Sequence, residues 1–170
     1  MKEQLQTPDL WLEANVEEIY RLMRDFHLLL LRDDPKDPEL DLSQRSLSEM
    51  PLCKVNRKIM KKIGLPVGYS VANGWVDRLY EGVEPKGNFH VFLKNEGDDV
   101  MDFTFGQFAV SRNEPGARIG AFQRVNPGLV RTFSNGLAVL QGNVAEISRS
   151  FGLGYEHQRL RPSDLVFATI

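Results

Sequence analysis

The sequence predicts a protein that combines α-helices with β-strands, and three features of its pattern carry this prediction. Apolar residues recur every three or four positions over residues 8–32, which is typical of a long amphipathic helix. A second helical segment, residues 51–63, ends where Gly64 and Pro66 interrupt the pattern. Two stretches rich in aromatic and β-branched residues follow, and the turn sequence Asn95-Glu96-Gly97 between them predicts a β-hairpin.

The composition is that of a globular chain. Hydrophobic residues make up 42% of the 170 residues and charged residues 26%, as in ordinary globular proteins and unlike disordered chains. This length suits one hydrophobic core, so we expect a single domain over residues 1–170, including the N-terminal helix at about residues 8–32.

Charge and hydropathy argue against two classes of partner. The formal net charge is −2, so no overall positive field would attract nucleic acid or an acidic membrane surface. The longest apolar run, Leu28 to Leu31, is far shorter than the roughly 20 residues that span a bilayer. The first residues lack the apolar core of a signal peptide, and one cysteine cannot form an intramolecular disulfide. We therefore expect a cytoplasmic protein, although a leaderless secretion route would leave no mark in the sequence.

The first helix begins with a favourable cap, because Thr7 precedes Pro8 and Asp9. Its end is apolar around the whole cylinder at Leu28 to Leu31. We expect this end to be buried, with coverage by a protein partner as the alternative.

The second helix carries the only cysteine. Pro51 suits its first turn, and Cys53 then lies at the positive end of the helix dipole. The predicted buried face comprises Asn56, Ile59, Met60 and Ile63, and Cys53 projects from the same face because it lies seven residues before Met60. A strand is predicted over residues 67–76, with a bulge at Gly74.

The hairpin brings a histidine and an aspartate together. A three-residue loop, Asn95-Glu96-Gly97, with a left-handed glycine makes Lys94 face Asp98, and His90 then faces Asp102. Side chains in such a pair share one face of the sheet, with Cβ atoms about 4.5–5.5 Å apart. A carboxylate there can hold one imidazole nitrogen and leave the other free to accept a thiol proton.

Cys53, His90 and Asp102 together predict nucleophilic catalysis. A helix N-terminus and a nearby imidazolium both favour the thiolate, and the Cys53 backbone amide is a candidate oxyanion donor. Taken singly, a lone cysteine is more often a small buried hydrophobe, a strand histidine structural, and Asp102 a polar residue at a strand end. The matched register of the three favours catalysis. His27 and His157 fit surface or structural positions better.

Other chemistries find no support in the sequence. The three histidines and one cysteine are scattered without metal-ligand spacing, so no metal is expected. Phosphate-binding glycine loops and a serine nucleophile elbow are also absent from the sequence, and no cofactor is expected. Towards the C-terminus the pattern predicts a strand over residues 118–125 and a helix over 137–151.

The region from Met50 to Phe108 resembles a known family. Three segments carry the resemblance: Cys53 at the start of a helix that ends in Lys61-Lys62-Ile63-Gly64-Leu65-Pro66, then Phe89-His90-Val91-Phe92-Leu93, and then Val100-Met101-Asp102-Phe103-Thr104. With these segments the region resembles the transglutaminase-like branch of the papain-like cysteine enzymes. Gln107-Phe108 is similar to bacterial members. The chain departs from the family pattern at Leu52 and Lys54 beside the cysteine, and at Phe92, where a tryptophan is frequent.

The resemblance implies an α+β, papain-like fold in which the cysteine helix packs on an antiparallel β-sheet. It also implies amide acyl transfer through a thioester, as in peptidases, amidases, deamidases and transamidases, with a protein or peptide substrate that could present a glutamine side chain. Cys53, His90 and Asp102 would be the catalytic residues. Two alternatives stay open: an inactive relative that binds a protein partner, and an acyltransferase that uses an acyl-thioester donor.

Overall fold

The computed structural model of the protein describes residues 7–43, 45–78, 88–108 and 118–157. The helices are α1 (Pro8–Asp33), α2 (Val55–Lys62), α3 (Arg118–Val125) and α4 (Val144–Phe151). The strands are β1 (Tyr69–Arg78), β2 (Asn88–Asn95), β3 (Asp99–Asp102), β4 (Val130–Thr132), β5 (Ala138–Asn143) and β6 (Leu153–His157). They form one antiparallel sheet in the order β4-β5-β3-β2-β1-β6. The described chain is therefore α+β, as predicted.

Alternating residues of the strands feed two hydrophobic clusters on opposite faces of this sheet. Leu93 and Met101 belong to the cluster that contains the buried residues of α1 and α2. Phe92 and Val100, their neighbours in sequence, belong to the cluster that contains the buried residues of α3 and α4. Each face of the sheet is thus covered by two helices.

The N-terminal helix forms over the predicted range. The hydroxyl of Thr7 accepts a hydrogen bond from the Leu10 backbone at 3.2 Å, which caps the first turn. The predicted burial of the apolar end is wrong for Leu28 and Leu29, which are 52% and 45% exposed, because the buried stripe of α1 continues through His27. Within the residues described, no helix has the length and apolar character that crossing a bilayer requires.

Helix α2 begins later than predicted. Pro51 lies in a bend, and tight turns over Leu52 to Lys54 precede the first α-helical residue, Val55. Hydrogen bonds from Val55 N to Leu52 O and from Asn56 N to Cys53 O close these turns at 2.9 and 3.2 Å. Cys53 is therefore in the turn that leads into α2 and not within its first α-helical turn.

The predicted inward face of α2 is correct in part. Asn56 and Ile59 are buried, and Ile63 packs partly buried against the same cluster, but Met60 is 43% exposed. Met60 lies about 100° around the helix from Ile59, outside the stripe that faces the sheet. The position of Cys53 therefore cannot be deduced from that of Met60.

The hairpin register differs from the prediction by two residues. Leu93 pairs with Met101 and Lys94 with Val100, so the loop occupies residues 96–98 and Asp98, not Gly97, takes the left-handed conformation with φ 64°. The Asn95 side chain accepts from the Asp99 backbone at 2.9 Å and stabilises the turn at this position. A shift of two residues preserves the face on which each side chain lies. His90 and Asp102 are consequently diagonal neighbours on one face, and not directly opposite.

Three further predictions need correction. Strand β1 pairs through Gly74 without interruption, so no bulge exists there. Residues 118–125 form a helix, because Ile119 and Phe122 recur with helical spacing and both pack into the core. Residues 138–143 form β5, and only Val144–Phe151 is the predicted helix, which Asn143 caps and Gly152 ends at φ 62°.

A close contact fixes the segment that precedes the cysteine. A Cβ placed on Gly106 would lie 2.7 Å from Glu49 Cγ and 2.9 Å from the backbone oxygen of Ser48. The Ser48 hydroxyl also donates to Ala138 O at 3.0 Å and accepts from Ala138 N at 2.9 Å. The short turn Leu47–Glu49 is thereby held between the sheet and the residues that follow β3.

We expect Gly106→Ala to lower the free energy of unfolding by about 1–3 kcal/mol, because the added methyl group meets backbone as well as side chain. Gly97→Ala is the matched control, since its Cβ would make ordinary contacts at 3.4 and 4.0 Å on the exposed hairpin turn. Urea denaturation of both variants measures the difference. Equal stabilities would contradict the described packing.

Candidate active site

A short hydrogen bond joins the histidine and the aspartate predicted from the hairpin. His90 Nε2 and Asp102 Oδ2 are 2.6 Å apart, and both side chains are fully buried. The bond occupies Nε2, so Nδ1 is the ring nitrogen left for another group. Nδ1 is buried and bonds to no nitrogen or oxygen atom of the described chain, which leaves the nearby Cys53 thiol as its partner.

Asp102 is held through both of its carboxylate oxygens. Oδ2 also accepts a hydrogen bond from the Tyr155 hydroxyl at 2.7 Å. Oδ1 accepts from the Thr104 backbone N–H at 2.9 Å and from the Thr104 hydroxyl at 3.3 Å. Burial alone raises the pKa of Asp102. The positive charge of His90 and the hydrogen bonds from His90, Tyr155 and Thr104 outweigh this effect and lower the pKa below 3.8. The carboxylate is thus ionised and fixed in orientation.

Aromatic rings surround the imidazole. The Phe108 ring meets His90 edge-on at 4.8 Å, the Phe92 ring stacks at 6.0 Å, and Tyr155 lies at 6.2 Å. These rings exclude water from the His90–Asp102 pair and restrict rotation of the imidazole. In such a setting the interaction between the two charges is screened far less than at the surface.

Cys53 approaches this pair from beside strand β2. The two ladder pairs between β2 and β3 are Leu93–Met101 and Lys94–Val100, so the start of β2 extends beyond the end of β3. The Asn56 side chain connects the cysteine turn to this part of β2, because its Nδ2 donates to Val91 O at 2.8 Å and to Cys53 O at 3.0 Å. The cysteine turn is thereby fastened to the strand that carries His90, and the thiol remains partly exposed.

The thiol and the imidazole shift each other's pKa. Burial raises the pKa of the Cys53 thiol. This effect is outweighed by the hydrogen-bonding interaction with His90, by the positive charge of His90 and by the Val91 backbone, which together lower the pKa below 9.0. Burial lowers the pKa of His90, whereas Asp102 and the nearby thiol raise it to about 9. The lowered pKa of the thiol and the raised pKa of the imidazole both favour a thiolate beside an imidazolium over the neutral pair.

A cleft of about 350 Å³ adjoins these residues. Its walls include Pro51, two residues before the cysteine, Phe89, which precedes His90, and Phe108, whose ring contacts His90. Neither this cleft nor a larger cavity of about 610 Å³ is lined by Cys53, His90 or Asp102, and the larger cavity, lined by residues such as Tyr69 and Arg131, also contains no residue next to Cys53 or His90 in sequence. The smaller cleft is the one connected to the site, because the Phe108 ring in its wall contacts His90 and Pro51 lies two residues before Cys53.

Two residues of this site escaped sequence reasoning. Tyr155 is 53 positions from Asp102 and reaches it only because β6 pairs with β1, on the far side of β1 from β2. The sequence predicts Asn56 on the buried face of α2, and a buried polar residue there is the signal that indicates a bond to the neighbouring backbone.

The remaining titratable candidates lie elsewhere or have structural roles. His27 is buried in α1, and its Nε2 lies 2.8 Å from Leu40 O, which ties the helix to the following loop. The His157 side chain lies outside the described residues. Among the residues described, no group of three histidine, cysteine, aspartate or glutamate side chains is arranged to hold a metal ion.

Comparison of the chain with protein-family models, curated proteins and solved structures gives no match. A partly exposed thiol with a lowered pKa, an imidazole with one nitrogen held, and an ionised carboxylate form a set suited to nucleophilic attack and proton transfer.

We expect Tyr155→Phe to lower the free energy of unfolding by about 1.5–3 kcal/mol, the usual contribution of a hydrogen bond to a charged group. Burial and the charge of Asp102 raise the pKa of Tyr155, so its hydroxyl stays a donor at all working pH values. Tyr20→Phe, a half-buried tyrosine of α1, serves as the control and should change stability by less than about 0.5 kcal/mol. Equal stabilities of the two variants in urea would contradict the described bond.

The pH dependence of thiol alkylation tests the coupling of Cys53 to His90. In the native protein the midpoint for reaction with iodoacetamide should lie below 9.0, the ordinary pKa of the thiol. In His90→Gln we expect it to rise above that value, because burial still disfavours the thiolate and no imidazolium opposes it. His27→Gln, which removes a buried imidazole outside the site, should leave the midpoint unchanged. A midpoint that does not move in His90→Gln would exclude the coupling.

Proposed function

We propose that this protein is an enzyme that transfers an acyl group from an amide through a thioester on Cys53. The observation that carries the proposal is the arrangement of Nε2 of His90 on Asp102, which leaves Nδ1 for the thiol. Because the carboxylate is ionised and held by three residues, the imidazole is kept in one orientation and favours its protonated form.

In the first step the Cys53 thiolate attacks the amide carbonyl carbon. The new C–S bond gives a tetrahedral oxyanion, and its collapse breaks the C–N bond. The His90 imidazolium donates its Nδ1 proton to the departing amine or ammonia. Cys53 then carries the acyl group as a thioester, and His90 is neutral.

In the second step water or an amine attacks the thioester, and His90 Nδ1 takes a proton from that nucleophile. The C–S bond breaks and sulfur leaves as the thiolate, which restores the starting ion pair. Water gives hydrolysis or deamidation, and an amine gives transamidation.

The backbone N–H of Cys53 is a suitable oxyanion donor. It makes no hydrogen bond within the described part of the chain, so it is free to bind the charge that develops on the carbonyl oxygen. Its proximity to the nucleophile is fixed by the chain itself, and the turn that carries it is held by Asn56.

We assign the fold to the transglutaminase-like branch of the papain-like enzymes. The order of cysteine, histidine and aspartate along the chain supports this assignment, as does the location of the last two on one antiparallel sheet. The packing of Val55 and Ile59 of α2 against sheet residues in one cluster also fits. The corresponding substrate is a protein or peptide, with a glutamine carboxamide as one form of the reacting amide.

Two alternatives use the same fold. An acyl-thioester donor would enter the same cycle at the thioester stage, and the release of its free thiol distinguishes it from an amide. A non-catalytic binding protein could use the exposed Leu28 and Leu29 of α1 as a contact. The lowered pKa of Cys53 favours an enzyme, because binding at α1 gives no reason for a reactive thiol.

We expect Cys53→Ala to lower ammonia release from a glutamine-containing peptide by at least about 10³-fold, because the nucleophile is lost. Asp102→Asn should lower it by between about 10²- and 10⁴-fold, because His90 loses its charged partner. Arg57→Ala, an exposed change on α2, should retain native activity. Unchanged turnover in Cys53→Ala would rule the mechanism out, and release of thiol from an acyl-thioester without ammonia release would favour the acyltransferase.

A further inference from the structure

The 350 Å³ cleft next to the site has a polar wall as well as an aromatic one. Pro51 and Phe89 lie close to Cys53 and His90 in sequence, and the Phe108 ring contacts His90. The remaining wall includes three charged side chains, Glu39, Arg45 and Glu49. A substrate that reaches the thiol through this cleft must therefore pass charged groups.

Glu49 is the distinctive member of this wall. It is only 5% exposed, and its Oε2 has no hydrogen-bond partner within the described part of the chain. Oε1 accepts from the Ser46 backbone and from the Ser46 hydroxyl, both at 3.2 Å, in a capping box. A buried carboxylate oxygen without a donor is costly, so this atom is suited to a donor supplied by a ligand.

The position of Glu49 is fixed before any ligand binds. Its Cγ is confined by Gly106, and the neighbouring Ser48 is bonded to Ala138 in both directions. A side chain held in this way loses little conformational entropy when a ligand pairs with it. The geometry is therefore that of a prepared binding position, and not that of a mobile surface carboxylate.

The charges of the cleft favour a cation. Glu39 and Glu49 contribute two carboxylates, and Arg45 contributes one guanidinium, so the charged side chains that line the cleft among the described residues sum to −1. Arg45 directs an N–H to the backbone oxygen of Glu39 at 3.5 Å. It forms no ion pair within 4 Å in the described chain, so neither carboxylate is neutralised by contact.

We propose that this cleft is a specificity subsite for a lysine or arginine side chain next to the reacting amide, with Glu49 as the charge partner. The inference rests on the proposed function, since the subsite has meaning only beside a reacting thiol. The aromatic wall of Phe89 and Phe108 would contact the aliphatic stem of the basic side chain, and Glu49 would accept from its charged end.

Binding measured without turnover tests this subsite. Cys53→Ala protein is titrated with Nα-acetyl-arginine methylamide and with the matched citrulline compound, which has a similar shape but no charge. We expect the arginine compound to bind about tenfold more tightly, as measured by isothermal titration or by NMR shifts. The double variant Cys53→Ala/Glu49→Gln keeps the capping oxygen of residue 49 and should lose this preference.

Two further variants keep the result interpretable. Glu146→Gln makes the same change of charge on the exposed face of α4 and should preserve the preference for arginine. Arg45→Gln removes the like charge from the cleft and should strengthen the preference, whether or not the Glu49 variant folds. Equal binding of arginine and citrulline compounds, or a preference that survives Glu49→Gln, would overturn the subsite. Selective binding together with unchanged ammonia release in Cys53→Ala would refute the proposed reaction and leave the subsite standing.

Discussion

The structure of the site depends on one buried interaction, the 2.6 Å bond between His90 Nε2 and Asp102 Oδ2. Two charged groups with no solvent exposure are costly to bury unless each has a full set of partners. Asp102 has that set, because Thr104 occupies Oδ1 and Tyr155 shares Oδ2 with the imidazole. His90 Nε2 is bonded to Asp102, which leaves Nδ1 for the nearby thiol of Cys53.

The ring nitrogen of His90 that Asp102 does not hold connects the fold to its proposed chemistry. Removing one partner of a buried charged pair typically costs about 3–5 kcal/mol, so the pair constrains everything that packs on it. The aromatic rings of Phe92, Phe108 and Tyr155 keep water away from it, and Tyr155 also bonds to it. A thiolate at Cys53 completes the arrangement, since it supplies the negative charge that a buried imidazolium otherwise lacks on its open side.

Much of this site could be predicted from sequence because side chains alternate between the two faces of a strand, so a register error of an even number of residues does not change the face on which a side chain lies. The sequence predicts the hairpin loop one residue too early, at 95–97 instead of 96–98, and the predicted strand register therefore differs by two residues from the one observed. An error of two residues leaves His90 and Asp102 on one face, whereas an error of one would have separated them. The exact turn was beyond the sequence pattern, because Asn95 stabilises it through its side chain and an aspartate takes the left-handed position that glycine usually fills.

Other elements could not be predicted because their partners are distant in sequence. The sequence pattern predicts one helix over residues 137–151, but β5 forms at residues 138–143 because β3 and β4 pair with it on either side. Residues 118–125 have too few apolar positions to separate strand from helix, and the contacts of Phe122 with Phe105 and Phe151 decide the outcome. Tyr155 reaches Asp102 through pairing of the last described strand with β1, which no local pattern encodes.

The charge state of His90 at neutral pH tests the central claim most directly. Nitrogen NMR shifts of the imidazole distinguish a ring protonated on both nitrogens from a neutral one. The account predicts an imidazolium at neutral pH that loses its proton only near the raised pKa of about 9. A neutral His90 ring at neutral pH in the native protein would contradict the thiolate–imidazolium pair on which the proposed function rests.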